Sequence, residues 1–310
     1  MRVLIAEQDH AHYARLLGEA APDLEVLTSG DSAELARHAP QCSVWLGQPN
    51  LLASLLRQGN SPAWVQSTWA GITPLLADGL PRDYRLTRAV GIFGQVMAEY
   101  MLTYMLVHER DVLSRLVSQV ERRWDGRPGR GLEGREVLIV GVGDIGQRVA
   151  EFLLPFGVTL RGIASSARAQ APFVEVGGLE ALPRLVAQAD FVINLLPDTP
   201  ATHDVYDAAL LRQFKPSAQF INAGRGVAVV DADLVEALKQ GHLAAAVIDV
   251  CRQEPLPQRH PFWTAWGLLL TGHSSAPTSP AAMVRLFVEN VRAYQAGQGL
   301  RGEVDFQRGY

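Results

Sequence analysis

The sequence predicts an α/β protein built from two doubly wound, parallel-sheet domains. Short apolar runs alternate with helical stretches over the first hundred residues, and the same alternation resumes from residue 135. Such alternation is typical of a parallel sheet with helices on its faces. A chain of 310 residues is also long enough to form two hydrophobic cores.

The elements follow in order along the chain. Helices are predicted to begin near residues 11, 31, 51 and 71, and one long apolar helix is predicted over residues 95–118. The Gly-, Pro- and Arg-rich residues 121–131 indicate an exposed linker, and a last helix is predicted over residues 280–296. Strands are predicted at residues 3–6, 25–27, 43–46, 64–67 and 85–87, and then at residues 137–140, 158–163, 191–195, 219–222, 246–250 and 268–271.

Composition narrows the possible partners. The formal net charge is −4 and no basic block is present, so we expect neither nucleic acid nor an acidic membrane surface as a partner. No apolar run approaches the roughly 18 residues of a membrane span. No histidine–carboxylate cluster has the spacing of a metal site, so no metal is expected.

The cysteines and the N-terminus bear on the compartment. Cys42 and Cys251 can form one disulfide, but two unpaired thiols in a reducing compartment fit the sequence better. Glu7 follows the first apolar run too early for a secretory signal. We therefore expect a cytoplasmic protein.

A glycine turn lies between the apolar run at residues 137–140 and an amphipathic segment. A strand, a glycine turn and a helix in this order form the dinucleotide-binding fingerprint, in which the backbone approaches a pyrophosphate at the helix N-terminus. The glycine pattern alone is weak, and its place between strand and helix makes it specific. We therefore predict dinucleotide binding by Gly141, Gly143, Asp144, Ile145 and Gly146.

The end of the next predicted strand bears on the choice of nicotinamide nucleotide. NAD-preferring domains carry an acidic residue about 20 residues beyond the glycines, where it binds the ribose hydroxyls. This chain presents Ser165, Ser166 and Arg168 there, without a carboxylate. Because these groups can accept a 2′-phosphate, we predict NADP(H) over NAD(H). The alternative is a polar loop that is indifferent to the phosphate.

Three later strands end in reactive side chains. Arg225 lies in a glycine-flanked turn, Glu254 lies in the loop after Asp249, and His273 follows the last strand. Ligands of open α/β sheets bind at the carboxyl ends of the strands, so these side chains can converge. Each alone has an ordinary explanation, as a turn cap, a solvated acid or a structural histidine. In one domain with a nucleotide turn they indicate an active site.

These ordered motifs resemble the D-isomer-specific 2-hydroxyacid dehydrogenase family over nearly the whole chain. The resemblance implies a Rossmann coenzyme domain at residues 94–274, inserted into a flavodoxin-like substrate domain at residues 1–93 and 275–310. It rests on Ala98-Glu99, the glycine turn, Leu195-Leu196-Pro197-Asp198-Thr199-Pro200, Ile221-Asn222-Ala223-Gly224-Arg225-Gly226, Asp249-Val250, Glu254-Pro255 and His273.

Two positions depart from the family pattern. Gly272 stands where proline often precedes the histidine, and we expect it to loosen the backbone of His273. Gly224 stands where alanine is usual, although a small residue is retained.

The resemblance also implies a reaction, the reduction of a 2-keto acid to the D-2-hydroxy acid with NAD(P)H. In it, Arg225 would bind the substrate carboxylate and keto oxygen, and His273, paired with Glu254, would be the acid/base. These roles suit the residue types, because a carboxylate favours charged imidazole and a guanidinium grips a carboxylate at two points. Asp249 would lie near the nicotinamide carboxamide. Further cofactor contacts would come from Leu196, Pro197 and Ala223.

The substrate pocket is expected to draw on two strand ends of the first domain. The rings of Trp45 and Trp69 are expected to limit the pocket to small substrates, and core packing is the alternative for both. The two segments are Trp45, Leu46 and Gly47, and Trp69, Ala70, Gly71 and Ile72. The second resembles the family's carboxylate-binding loop, in which backbone amides hold the acid group.

Trp45 and the missing ribose carboxylate make the chain similar to the glyoxylate/hydroxypyruvate reductase branch. A bulkier 2-keto acid such as phenylpyruvate remains an alternative. A different class of function is a non-catalytic, nucleotide-sensing protein such as a corepressor, whose sign would be loss of a catalytic residue. By resemblance, the long helix and the segment around Trp124 are expected to support a homodimer.

Overall fold

The computed structural model describes residues 1–309, which fold into two compact units. One unit contains Met1–Ile92 together with the chain from Thr278 onwards, and the other contains Phe93–Pro277. The predicted domain boundaries, 93/94 and 274/275, lie one and three residues from these divisions.

The first unit is built on a five-stranded sheet. All strand pairs are parallel, in the order β2-β1-β3-β4-β5, and β3 and β4 are buried along their whole length. This is the pattern of a sheet covered on both faces. The elements are β1 (Arg2–Ala6), α1 (His10–Ala20), β2 (Glu25–Thr28), α2 (Ser32–His38), β3 (Val44–Gly47), α3 (Pro49–Leu56), β4 (Trp64–Ser67) and β5 (Arg85–Thr87).

The second unit is built on a seven-stranded sheet, again wholly parallel, in the order β12-β11-β10-β9-β6-β7-β8. The chain runs outward from β6 through β7 to β8, then returns to β9 on the other side of β6. Its elements are α4 (Gly94–Glu109), α5 (Val112–Val120), β6 (Glu136–Val140), α6 (Asp144–Leu153), β7 (Thr159–Ile163), β8 (Glu175–Gly177), α7 (Leu182–Val186), β9 (Phe191–Asn194), α8 (Ala208–Leu211), β10 (Gln219–Asn222), α9 (Asp231–Lys239), β11 (Ala245–Ile248) and β12 (Leu268–Leu270). The last helix, α10 (Pro280–Gln295), belongs to the first unit.

The predicted fold class is confirmed, and several elements differ from their predictions. The long helix is divided into α4 and α5, because Asp111 adopts a left-handed conformation with φ 50°. The helix expected near residue 71 is only a short 3-10 turn, Thr73–Leu76, which has proline in its first turn. The three-residue strand β8 was not predicted, and neither were the helices α7, α8 and α9.

Two further findings concern membrane spans and cysteines. Within residues 1–309, no helix combines the length and apolar character needed to cross a membrane. Cys42 and Cys251 are both unpaired, Cys42 being buried and Cys251 partly buried.

Candidate active site

The glycine turn joins β6 to α6 where the strand order reverses between β6 and β9. Gly141 has φ +109°, and a Cβ there would lie 2.8 Å from the backbone that follows β9. A Cβ on Gly146 would lie 2.3 Å from the carbonyl oxygen of Gly141, so this glycine lets α6 pack closely. A Cβ on Gly143 would meet no protein atom within 4 Å. The turn is therefore tight at two glycines and open at the third, just before Asp144 and Ile145 begin α6, which fits a bound phosphate.

Ser165, Ser166 and Arg168 lie exposed on the loop after β7. Arg168 donates from Nη2 to the carbonyl oxygen of Val142 (3.0 Å) and from Nε to Oε1 of Gln170 (2.7 Å). Val142 belongs to the glycine turn, so the guanidinium lies beside the predicted nucleotide site. The charge at this strand end is positive, as a 2′-phosphate requires.

Glu254 and His273 meet although they follow different strands. His273 Nδ1 lies 2.7 Å from Glu254 Oε2, while Glu254 Oε1 accepts the N–H of Cys251 at 2.8 Å. The carboxylate is therefore held at both oxygens. Both side chains are partly open to solvent, with 52% of the His273 side chain and 37% of the Glu254 side chain exposed.

The electrostatics of this pair favour an imidazolium. The hydrogen bond to Glu254 raises the pKa of His273 above its usual value, while burial and the Arg225 charge act less strongly in the opposite direction. Burial raises the pKa of Glu254, but the hydrogen bonds from His273 and Cys251 and the charges of His273 and Arg225 outweigh burial, so this pKa is lowered. The pair therefore holds a proton on the imidazole above the usual imidazole range.

The turn that carries His273 is fixed by the buried Asp249. Gly272 and His273 both have left-handed backbone, with φ 65° and 56°. The His273 N–H donates to the carbonyl oxygen of Asp249 (2.6 Å), and the Asp249 carboxylate accepts the N–H groups of Ser274 (2.8 Å) and Ser275 (3.3 Å). Three hydrogen bonds to one residue therefore hold this turn, and the expectation that Gly272 loosens it stays a prediction.

Arg225 follows β10 and is half-buried, with Nη1 donating to the carbonyl oxygen of Gly224 at 2.6 Å. It is near enough to Glu254 and His273 for its charge to lower the pKa of each, as a smaller contribution than their own hydrogen bond. A Cβ on Gly224 would lie 2.8 Å from the backbone nitrogen of Leu196. Glycine at this position is therefore fitted to the close approach of the two strand ends.

The remaining predicted cofactor residues lie on the same edge of the sheet. Buried Leu196 and exposed Pro197 follow β9, and half-buried Ala223 follows β10. Below them Asn194 donates from Nδ2 to Oδ1 of Asn222 (2.8 Å), and both side chains are fully buried. This pair, which motif analysis did not single out, joins the ends of β9 and β10.

In the first unit, Trp69, Ala70 and Gly71 are half-buried and Ile72 is buried, in the loop after β4. The start of this loop is fixed, since the Trp69 N–H donates to Ser67 Oγ (3.0 Å) and its carbonyl oxygen accepts the N–H of Ala89 (3.1 Å).

The prediction that the Trp45 ring shapes a substrate pocket is wrong. Trp45 has no exposed surface, and its Nε1 donates to the carbonyl oxygen of Cys42 at 2.9 Å. Leu46 is equally buried, and Gly47 serves strand packing, because a Cβ there would lie 2.2 Å from the carbonyl oxygen of Ala6. The physical reason is the position of β3 between β1 and β4, where side chains on either face enter the core.

Two polar contacts near these strand ends were missed by sequence reasoning. The buried Glu7, directly after β1, accepts a hydrogen bond from the Thr68 hydroxyl at the end of β4. In the second unit, the Tyr100 hydroxyl on α4 lies 2.8 Å from Thr271 Oγ1. The available signal for Glu7 and Thr271 was their place immediately after an apolar run, whereas Tyr100 gave none.

The arrangement can bind a dinucleotide at the glycine turn and can bind an anion and move a proton at Arg225 and His273. Within the part of the chain that the structure describes, no group of three or more His, Cys, Asp or Glu side chains is placed to hold a metal ion.

Comparisons with known proteins show which family this chain resembles. Residues 102–275 match the family model described as D-isomer specific 2-hydroxyacid dehydrogenase, NAD binding domain. A glyoxylate/hydroxypyruvate reductase A of Escherichia fergusonii is 30% identical over 311 residues, covering 97% of each chain.

Solved structures extend the similarity to both units. A D-isomer specific 2-hydroxyacid dehydrogenase family protein from Aeromonas salmonicida has a TM-score of 0.92 and 38% identity, covering 98% of this chain and 99% of its own. An NADPH-dependent glyoxylate/hydroxypyruvate reductase from Sinorhizobium meliloti, solved with NADP and sulfate, has a TM-score of 0.87 and 27% identity, covering 100% and 99%.

Proposed function

The chain belongs to the D-isomer specific 2-hydroxyacid dehydrogenase family, and we propose that it is an NADPH-dependent reductase of glyoxylate and hydroxypyruvate. The observation that carries this proposal is the Glu254–His273 pair, which lies with Arg225 in the same unit as the glycine turn. The substrates are proposed from the relatives, because the E. fergusonii protein and the S. meliloti structure both bear that reductase name.

The proposed cofactor is NADP(H) rather than NAD(H). The pyrophosphate would rest on the glycine turn, with Gly143 open to it and the first amides of α6 facing it. Ser165, Ser166 and Arg168 would bind the 2′-phosphate. Contacts to the rest of the cofactor are proposed for Leu196, Pro197, Ala223 and Asp249.

In the proposed reaction, NADPH supplies a hydride to the carbonyl carbon of the keto acid. The imidazolium of His273 donates its Nε2 proton to the carbonyl oxygen, while Glu254 at Nδ1 keeps the ring oriented and charged. The Arg225 guanidinium binds the substrate carboxylate and polarises the carbonyl. Hydride and proton together give the hydroxy acid, so no metal is required by this scheme.

We propose that the loop after β4 binds a carboxylate through the backbone amides of Ala70, Gly71 and Ile72. None of these three N–H groups donates to an acceptor within residues 1–309, which leaves them available for an anion. Trp69, half-buried at the start of this loop, is proposed to limit substrate size.

The test is a steady-state panel of glyoxylate, hydroxypyruvate, pyruvate and phenylpyruvate with NADPH and with NADH, followed by absorbance of the reduced nicotinamide. We expect the first two substrates with NADPH to be preferred, and the His273→Ala variant to lose about 10²- to 10⁴-fold in turnover. A preference for phenylpyruvate would assign the bulkier substrate class. Tight NADPH binding without turnover of any keto acid would instead indicate a nucleotide-sensing protein.

We further propose a homodimer. The helix α5 and the segment after it expose an apolar face, on which Val120 is 77% and Trp124 95% exposed. Contiguous exposed apolar surface commonly marks a protein interface. The rest of this face comprises Val112, Leu113, Leu116 and Val117. A cytoplasmic location is proposed from the two unpaired cysteines.

A further inference from the structure

A chain of side-chain hydrogen bonds runs from α4 to the residues directly after β12 and β11, next to the turn that carries His273. Thr271, directly after β12, donates from Oγ1 to Asp249 Oδ1 at 2.6 Å. The Tyr100 hydroxyl lies 2.8 Å from the same Thr271 oxygen. Because a threonine hydroxyl has one hydrogen and Thr271 gives it to Asp249, Tyr100 is the donor in the second bond. The direction of the chain is therefore from Tyr100 through Thr271 to Asp249.

Asp249 also holds the turn that carries His273. Its side chain is 1% exposed, and its carboxylate also accepts the N–H groups of Ser274 and Ser275. Its carbonyl oxygen accepts the N–H of His273, which stands in a left-handed conformation. Such a conformation persists in a non-glycine residue only where the surroundings fix it.

We propose that Tyr100 and Thr271 are positioning residues for His273, acting through Asp249. Their hydroxyls orient the Asp249 carboxylate, which holds the turn that keeps the His273 ring against Glu254. This inference rests on the proposed function, in which His273 donates the proton. Thr271 and Tyr100 touch neither reacting atom, so their effect is on the placement and charge of the imidazole.

The charged groups that act on His273 are Glu254, Asp249 and Arg225. The hydrogen bond to Glu254 is the main contribution that raises the His273 pKa, and the Asp249 charge adds to it, whereas Arg225 lowers it. A turn that moves away from Asp249 and Glu254 therefore lowers the His273 pKa. The basic limb of the pH profile for keto-acid reduction should then move to lower pH.

Four variants separate positioning from packing. Thr271→Val removes the hydroxyl at nearly constant shape, and Thr271→Ser restores it. Tyr100→Phe removes the outer donor. Tyr104→Phe is the matched control, because its ring lies edge-on to Tyr100 (4.7 Å between centroids) one helical turn along α4.

We expect Thr271→Val to lower kcat by about 10- to 100-fold, the scale of a small misplacement of a reacting group, with little change in the KM for NADPH. The basic limb of the pH profile of this variant should lie at lower pH than that of the wild type. Tyr100→Phe should shift kcat and the limb in the same direction by less, while Thr271→Ser and Tyr104→Phe stay near wild type. The proposal would be overturned if Thr271→Val kept the wild-type kcat and the wild-type basic limb of the pH profile. It would also be overturned if Thr271→Ser lost as much kcat as Thr271→Val, whatever the melting temperatures of the two variants.

A second readout does not depend on turnover. The His273 pKa can be followed by NMR titration of histidine-labelled protein, with the His273→Ala spectrum for assignment. A lower His273 pKa in Thr271→Val than in wild type supports the hydrogen-bond chain, and an equal pKa overturns it. A wild-type enzyme that reduces no 2-keto acid overturns the proposed function instead. The NMR result then still decides whether the hydrogen bonds of Tyr100 and Thr271 act on His273.

Discussion

His273 Nδ1 lies 2.7 Å from Glu254 Oε2, across a gap of 19 positions in the sequence. The other Glu254 oxygen is occupied by the Cys251 N–H, so the carboxylate cannot rotate away without losing a second bond. Holding Nδ1 in this way leaves Nε2 as the nitrogen that can face a substrate. Glu254 thus orients the imidazole and makes the largest contribution to raising its pKa.

The first prediction concerns Glu254→Gln. The hydrogen bond to the Glu254 carboxylate is the main cause of the raised His273 pKa. Because glutamine carries no charge, the His273 pKa should be lower in this variant. Reduction needs the protonated ring, and its rate falls as pH rises through the His273 pKa. In the variant this fall should begin at lower pH, with kcat at neutral pH reduced by about tenfold or more. A kcat–pH profile measures both.

Glu303→Gln is the control for this prediction, because Glu303 also pairs with a cation, Arg85, but lies in the first unit. Its profile should match the wild type. Superimposable basic limbs for Glu254→Gln and wild type would contradict the assigned role of Glu254.

The second prediction compares two glycines of the same turn. A methyl group at Gly143 meets no protein atom, so Gly143→Ala should leave stability nearly unchanged and raise the KM for NADPH by occupying the phosphate space. A methyl group at Gly146 collides with the Gly141 carbonyl oxygen, so Gly146→Ala should lower the free energy of unfolding by about 1–3 kcal/mol. Denaturant unfolding and NADPH kinetics separate the two. An unaffected KM in Gly143→Ala would place the pyrophosphate elsewhere.

The sequence could predict the strands and could single out residues of the candidate site because both depend on local patterns. Apolar runs mark buried strands, and Glu254 and His273 stand out because each follows one. Trp45 was misassigned because a strand-end tryptophan has the same sequence signature in a core as in a pocket. Asp111 breaks the long helix through its backbone conformation, which leaves the apolar pattern intact. Tyr100 could not be predicted, since its partner lies 171 positions away.

The third prediction concerns Arg168, whose guanidinium is held beside the glycine turn by Val142 and Gln170. Arg168→Ala should raise the KM for NADPH by about 10- to 100-fold, the usual worth of a hydrogen bond between charged groups. The KM for NADH should hardly change, because NADH lacks the 2′-phosphate. Arg184→Ala is the control, as Arg184 pairs with Glu175 at β8 in the same unit. An equal effect on both cofactors would contradict a 2′-phosphate contact.

The fourth prediction tests the turn at Gly272, where the family often has proline. Proline fixes φ near −65°, and Gly272 has φ +65°. Gly272→Pro should therefore cost more than about 1 kcal/mol of unfolding free energy and should displace His273, lowering kcat. Gly297→Pro imposes the same conflict at φ +66°, in the first unit. The Gly297→Pro variant should lose stability while keeping the wild-type kcat. An unchanged kcat in Gly272→Pro would show that the turn tolerates both geometries.

The fifth prediction concerns the apolar face of α5. In a two-fold symmetric dimer each subunit contributes the same patch, so one substitution places two charges in the interface. Val120→Asp adds a carboxylate at the most exposed valine of that face, and burying it unpaired costs several kcal/mol. We expect the dissociation constant to rise by about 100-fold or more, which light scattering over a concentration series will register as a change from dimer to monomer mass.

Val174→Asp introduces the same charge at another exposed valine, 65% open to solvent, and should leave the mass unchanged. A monomeric wild type at micromolar concentration would remove the dimer proposal, and a Val120→Asp dimer as tight as wild type would place the interface on a different surface.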